Sequence, residues 1–256
     1  MPTASAHLAA ATDLLDDPAL AVRPRLASGE PRGAFLLGTI SPDVRVVSRL
    51  TREETHFFDI PLSQGAPASQ RLLEQHPALA DANALPEAQA AFVGGYMTHL
   101  IMDESWLELV VMPYIYREDR PWGSDHPNFR LYSLLMTYLA EWGGKRLPEA
   151  QVDALRAAQP DGWLPFASDA DLVFWRERVL EHALADAGRQ TAQMFAALMG
   201  SNGDALYAVV CSEEAMAREV FSVVPPGTLE RFRQAAHQRC LAMLDGYLAS
   251  PAVGSG

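Results

Sequence analysis

The chain has 256 residues, 49% of them hydrophobic and 20% charged, a composition that excludes disordered and fibrous proteins. Its net charge of −12 argues against stable binding to nucleic acid, because an acidic surface repels phosphate backbones. The first residues lack the basic start and apolar stretch of a signal peptide, and no apolar run is long enough to span a bilayer. Two cysteines cannot form a disulfide framework. Together with the lack of a signal peptide and of a long apolar run, this predicts a cytoplasmic protein with no transmembrane segment.

Apolar residues recur with a helical period almost throughout, and no stretch has the two-residue period of a β-strand. This pattern predicts helices over about 5–16, 33–38, 68–76, 86–112, 127–142, 148–157, 169–199, 203–222 and 226–248. We therefore expect one all-α domain over 1–250, with a metal-site core at about 5–145 and additional helices at 146–250. Residues 251–256 are expected to fray. Residues 43–66 are polar and irregular, which is typical of a functional segment.

The most informative pair is His99 and Asp103, which lie four residues apart on a predicted apolar helix. That spacing places an imidazole and a carboxylate on one helix face, and both groups are zinc ligands. Gly94 and Gly95 lie about one turn earlier and each cost roughly 1 kcal/mol in helix propensity, which indicates close approach of another backbone. The alternative interpretation of the pair is an ordinary salt bridge within a helix.

Three further donors lie outside the long predicted helices and are available to converge on this pair. Asp43 follows a Ser-Pro turn, His56 precedes two phenylalanines, and His7 lies near the start of the first helix. Each has an ordinary explanation, as a turn former, a half-buried loop histidine and a helix-start residue. Together with the helical pair they supply the three or four nitrogen and oxygen donors that a zinc site requires.

The order of these motifs resembles a known family. His7 is followed by Gly38-Thr-Ile-Ser-Pro-Asp43, then by Thr55-His56-Phe57, and then by His99-Leu-Ile-Met-Asp103. This order and its separations are similar to those of the zinc-dependent phospholipase C family, which is related to the fungal single-strand-specific nucleases. The resemblance covers roughly residues 5–130 and implies an all-α domain of that type with a buried metal site that hydrolyses phosphate esters.

The resemblance also implies a ligand set. Asp43, His56, His99 and Asp103 would hold one zinc, and Asp103 would bridge to a second zinc bound by His7. Asp43 is in addition the candidate catalytic carboxylate, because it can accept the proton of an attacking water.

A further zinc of the family uses a His-x-x-x-Glu pair, whose nearest match here is His126 with Arg130 in place of the acid. Arginine does not bind metals, but its planar fork binds phosphate, so we expect one or two zinc ions and substrate contacts from Arg130 and His126, with an ordinary surface arginine as the alternative for Arg130. Asp59 is a candidate to orient His56 from behind, because it follows that histidine by three residues. Three arginines of the irregular segment are candidates for contact with an anionic group, with a solvated loop as the alternative: Arg45, Arg49 and Arg52.

These observations predict a zinc-dependent phosphoesterase resembling phospholipase C, which hydrolyses a small-molecule or lipid phosphate ester with metal-activated water. One alternative is a phosphodiesterase or phosphatase that acts on a soluble, nucleotide-like ester. The other is a non-enzymatic helical protein with a structural metal or none. An open ligand position on the metal distinguishes an enzyme from a structural site.

Overall fold

In the computed structural model, the described residues are 2–27, 29–62, 65–116, 126, 128–184 and 186–249, and they contain helices but no β-strand. The tail at 251–256, expected to fray, lies outside these ranges. One contiguous hydrophobic core joins the helices, so the expectation of an all-α fold is confirmed. The α-helices are α1 (Ala4–Asp16), α2 (Arg23–Leu26), α3 (Gly29–Gly38), α4 (Arg52–His56), α5 (Ala68–Gln75), α6 (Glu87–Trp106), α7 (Met112–Tyr114), α8 (Phe129–Gly144), α9 (Glu149–Ala157), α10 (Asp169–Arg178), α11 (Ala187–Leu198), α12 (Gly203–Val210), α13 (Glu213–Glu219) and α14 (Gly227–Leu248).

Helix α6 lies at the centre of the domain. Of its 20 residues, 17 are buried, among them the rings of Phe92, Tyr96 and Trp106. A helix that is apolar on all sides belongs in a core, and α3 and α14 pack on it from different directions. Although α6 is long, no described helix is both long and apolar enough to cross a bilayer. The side chains of His99 and Asp103 on α6 are enclosed by protein.

Helices α3 and α6 touch through their backbones at two glycines. A Cβ atom on Gly95 would lie 2.1 Å from the carbonyl oxygen of Phe35, and one on Gly38 would lie 2.1 Å from the carbonyl oxygen of Phe92. No real side chain fits at those distances, so the contact requires glycine at both positions. The close backbone approach expected before His99 is thus confirmed at Gly95.

The segment predicted to be irregular contains two short helical turns. A 3₁₀ helix spans Ser41–Val46, and α4 follows after a short loop. Thr51 begins α4 with a capping box, in which its hydroxyl accepts the Glu54 N–H while the Glu54 carboxylate accepts the Thr51 N–H. Phe57, at φ 58°, ends the helix in the left-handed region. These turns are too short for periodicity to reveal, yet they fix a segment that borders the core.

Two long predicted helices are each divided. The helix predicted over 169–199 contains a π-helical stretch at Val179–Ala183 and is interrupted before Asp186, whose φ is 54°. The helix predicted over 203–222 breaks where Ser212 caps α13 by accepting the Ala215 N–H. The last helix is not peripheral, because α14 packs on both α1 and α6 and completes the core.

The glycine contact generates a stability prediction. Replacing Gly95 with alanine should lower the free energy of unfolding by about 2 kcal/mol or more, because the new methyl group meets a backbone carbonyl that cannot move aside. The matched control is Gly246→Ala on the exposed face of α14, where an added Cβ has nothing within 4 Å. That change should stabilise the protein by about 0.5–1 kcal/mol through helix propensity. Urea unfolding measures both, and wild-type stability of Gly95→Ala would contradict the backbone contact.

Candidate metal centre

Four separate elements bring five donor side chains to one place. His7 comes from α1, Asp43 from the 3₁₀ helix, His56 from the end of α4, and His99 and Asp103 from α6. The three imidazoles and Asp103 are fully buried, whereas the Asp43 side chain is 18% exposed. The structure therefore places together every residue that the sequence proposed as a metal ligand.

Asp103 is the centre of the cluster. Its Oδ1 lies 3.4 Å from His7 Nε2, and its Oδ2 lies 3.4 Å from His99 Nε2 and 3.5 Å from His56 Nε2. His56 Nε2 lies 3.5 Å from Asp43 Oδ1 as well. The rings of His7 and His99 are stacked, with centroids 3.7 Å apart. The two oxygens of Asp103 thus face different histidines, as a carboxylate that bridges two ions would.

These separations suit shared metal coordination better than hydrogen bonding. Hydrogen bonds between imidazole nitrogen and carboxylate oxygen are about 2.7–2.9 Å long. Two ligands that each bind zinc tetrahedrally at 2.0–2.1 Å lie about 3.3–3.4 Å apart. Among the described residues, the Nε2 atoms of the three histidines and both oxygens of Asp103 are buried without a hydrogen-bond partner. Because unsatisfied buried polar groups are rare and costly, this donor set fits zinc.

Two threonines hold His99 and His56 in the tautomer that a metal needs, whereas Nδ1 of His7 has no hydrogen-bond partner among the described residues. His99 Nδ1 donates to the carbonyl oxygen of Thr39 at 2.8 Å, which leaves the Nε2 lone pair free. His56 Nδ1 lies 2.9 Å from the hydroxyl oxygen of Thr55. That hydroxyl can donate its own proton to the Thr51 carbonyl at 3.2 Å, and it then accepts from His56.

The expectation that Asp59 orients His56 is wrong. Asp59 is exposed to solvent, and the contact to the second ring nitrogen of His56 comes from Thr55 instead. Sequence reasoning also missed Thr39 as the partner of His99. Both threonines belong to the quoted motifs, Thr39 after Gly38 and Thr55 before His56. The contact of Thr39 uses its backbone carbonyl, which leaves no signal in side-chain chemistry, and Thr55 lies in a helix too short to predict.

Burial and neighbouring charges shift the pKa values of the cluster residues in different directions. Burial, assisted by the neighbouring His99, lowers the pKa of His7 to about 4, so His7 is neutral at neutral pH. Burial also lowers the pKa of His56. For His99, burial opposes the charged form, but the nearby Asp103 and Asp43 outweigh it and raise the pKa. The histidine contacts likewise outweigh burial and keep the pKa values of both carboxyl groups below their usual range, so both remain ionised.

An open cavity of about 440 Å³ adjoins the cluster. Asp43 lines it and is at the same time part of the cluster, so this carboxylate connects the buried donors to the outside. Arg45 and Arg52 also line the cavity, whereas Arg49 is exposed and does not. Much of the remaining wall is apolar or aromatic: Leu107, Val111, Tyr116, Tyr132, Trp175, Met194 and Phe195.

The structure does not bring the expected substrate contacts, Arg130 and His126, to the cavity. Arg130 is exposed, and its guanidinium forms a 2.8 Å ion pair with Glu219 on the surface. His126 is buried, but its Nδ1 accepts the Asn128 N–H at the start of α8, and neither residue lines the cavity. The prediction that Arg130 points into the site is therefore wrong, because its place on α8 faces α13 rather than the cluster.

A search of protein-family models, of curated proteins and of solved structures finds no match to this chain. The resemblance to the zinc-dependent phospholipases therefore depends on the motif residues themselves. What the geometry adds is that those residues, distant in sequence, meet at one buried point.

Zinc should stabilise the folded protein, because it binds a site that the unfolded chain lacks. At a zinc concentration 100 times the dissociation constant, the gain is about 2.7 kcal/mol. For a chain of this size we expect the melting temperature to rise by about 5 °C or more, and a chelator to reverse the change. His99→Ala should abolish the response, whereas the control His237→Ala, which removes a histidine that pairs with Asp17 on the surface, should keep it. Identical melting curves with zinc and with chelator would contradict the assignment.

Proposed function

We propose that the protein is a zinc-dependent phosphoesterase resembling phospholipase C. The observation that carries this proposal is the convergence of five nitrogen and oxygen donors beside an open cavity that two arginines line. Four of these donors, all except Asp43, have buried polar atoms without a hydrogen-bond partner among the described residues. Structural zinc sites are closed and fully ligated by protein, whereas catalytic sites adjoin space for water and substrate. The cavity therefore favours an enzyme over a protein with a purely structural metal.

The donors divide into two overlapping groups that suit one or two zinc ions. Asp43, His56 and His99 form one group, and His7, His99 and Asp103 form the other. Zinc bound here would supply hydroxide at neutral pH and neutralise charge on a phosphate group. Burial keeps His7 neutral, and the carbonyl of Thr39 holds the His99 ring with Nε2 toward the cluster, whereas the raised pKa of His99 means that zinc would compete with a proton for that nitrogen.

Asp43 is the residue of the cluster that substrate and water reach first. It is ionised at neutral pH, because its contacts with His56 and His99 keep its pKa below the usual range despite burial. A carboxylate of such low basicity accepts a hydrogen bond from an entering water and aligns it, and it takes the proton only late in the reaction. Its position between cluster and cavity is what suits it to this role.

The residues of the cavity wall favour a second candidate function, which is also the hydrolysis of a phosphate ester. Its aromatic side chains include Tyr116, Tyr132 and Trp175, and the Trp175 indole is fixed by donating to the Ile40 carbonyl at 2.7 Å. Such a wall accommodates a planar ring as readily as an alkyl chain. A phosphodiesterase or phosphatase that acts on a soluble, ring-bearing ester is therefore the second candidate.

The test is hydrolysis of bis(4-nitrophenyl) phosphate by the zinc-loaded protein. We expect zinc-dependent turnover, and a loss of about 100-fold or more in kcat for Asp43→Asn, because that change removes the carboxylate that aligns water. Asp59→Asn is the matched control, since it makes the same chemical change at an exposed position outside the cluster. Zinc content is measured in all three proteins. A zinc-loaded wild type without activity on phosphodiesters or phosphomonoesters would favour a structural metal.

A further inference from the structure

We propose that Arg52, assisted by Arg45, binds the phosphate group of the ligand that occupies the cavity, and that the apolar part of the wall receives an apolar or ring-bearing group of the same ligand. The inference rests on the proposed function for the identity of the anion. It transfers to Arg52 the role that the sequence had suggested for Arg130. Arg52 is then a substrate-binding residue beside the metal ligands.

Helix α4 places Arg52 next to the cluster. Arg52 and His56 are its first and last residues, and a separation of four positions puts both side chains on one face of a helix. The guanidinium carbon of Arg52 lies 4.7 Å from the centroid of the Phe58 ring, and that ring lies 6.0 Å from the ring of His56. Stacking on an aromatic face restricts the guanidinium without using its N–H groups. The same short helix thus presents a metal ligand and an oriented cation.

The N–H groups of these arginines have no partner within the described part of the chain. Nε and Nη2 of Arg52 and Nε of Arg45 are buried and make no hydrogen bond there. A buried N–H group without a partner is unfavourable, and more so when it is charged, so it calls for a ligand. Several other arginines of the protein are paired with acids, as Arg130 is with Glu219 and Arg146 with Asp13.

Arg52 makes no direct ion pair with the carboxylates of the cluster, although it is close enough to Asp103 and Asp43 for their charges to act on it. None of the described acids lies within 4.0 Å of its guanidinium. It lines the same cavity as Asp43 while remaining outside direct contact with it. Because the Arg52 guanidinium does not contact Asp43, there is space for an anion between the guanidinium and the metal ligands. The two parallel N–H groups of a guanidinium match two oxygens of a phosphate.

The apolar part of the cavity wall suggests what the phosphate is attached to. Leu107, Val111 and Phe195 contribute apolar surface there, and no positive charge faces the cavity apart from the two arginines among the described lining residues. Apolar area gains free energy when a ligand covers it. The ligand is therefore a phosphate ester with one anionic end and one apolar or aromatic end.

The test measures binding of inorganic phosphate, methylphosphonate and phenylphosphonate to the zinc-loaded full chain by calorimetry. Arg52→Met removes the fork and keeps an apolar stem over Phe58, and it should weaken phosphate binding by about tenfold or more. Arg52→Lys keeps the charge and should show an intermediate affinity. Arg49→Met is the control, because Arg49 is exposed and outside the cavity, and it should bind phosphate as the wild type does. Zinc content and unfolding curves show that each variant is folded and loaded.

Each outcome decides the proposal. Wild-type phosphate affinity in folded, zinc-loaded Arg52→Met, or no phosphate binding by the wild type, would overturn the role of Arg52. Phenylphosphonate should bind about tenfold more tightly than methylphosphonate, and equal affinities would overturn the apolar subsite. Binding that needs Arg52 in a protein without phosphoesterase activity would refute the proposed function but leave the phosphate site intact. Activity that survives Arg52→Met with an unchanged KM would refute the phosphate site at Arg52 but leave the proposed function intact.

Discussion

The candidate site depends on one contact, the meeting of the α3 and α6 backbones at Gly38 and Gly95. Because neither residue has a Cβ atom, the carbonyl of Thr39 can lie 2.8 Å from His99 Nδ1 and fix that ring. The chain then leaves α3 directly into the turn that carries Asp43, so the same contact sets where this carboxylate enters the cluster. Packed interiors do not deform continuously, and a side chain at either glycine would move the donors apart together with the helices.

Asp103 is a buried carboxylate whose two oxygens make no ordinary hydrogen bond with the described residues. Other buried polar groups use nearby carbonyls, as Tyr96 does with Thr55 and Ser133 with Phe129. Asp103 instead faces only imidazole nitrogens at 3.4–3.5 Å, at the centre of a buried helix where an uncompensated carboxylate costs several kcal/mol. These separations are too long for good hydrogen bonds, but they match the separations between ligands of one metal ion. Local rules are expected to fail at functional sites, and here the failure marks the proposed metal centre.

Helical periodicity was enough to predict the buried α6 helix, whereas the choice of the five donors depended on residue chemistry together with the resemblance of their order to the phospholipase C family. Features that depend on tertiary contacts could not be predicted in this way. The orientation of His56 by Thr55 rather than Asp59 is set by a five-residue helix too short to detect. Arg130 was predicted to contact substrate because of its spacing from a histidine. Only the packing of α8 determines that it forms an ion pair with Glu219 instead.

X-ray absorption at the zinc edge, measured on the wild-type protein with one equivalent of zinc, tests the central claim most directly. The account predicts only nitrogen and oxygen donors at about 2.0–2.1 Å, together with the outer-shell scattering of imidazole rings. Neither cysteine is near enough to contribute, since the described donors that converge are histidines and aspartates alone. A sulfur donor at about 2.3 Å, or a shell of oxygens without imidazole, would contradict the assignment of the buried cluster as the zinc site.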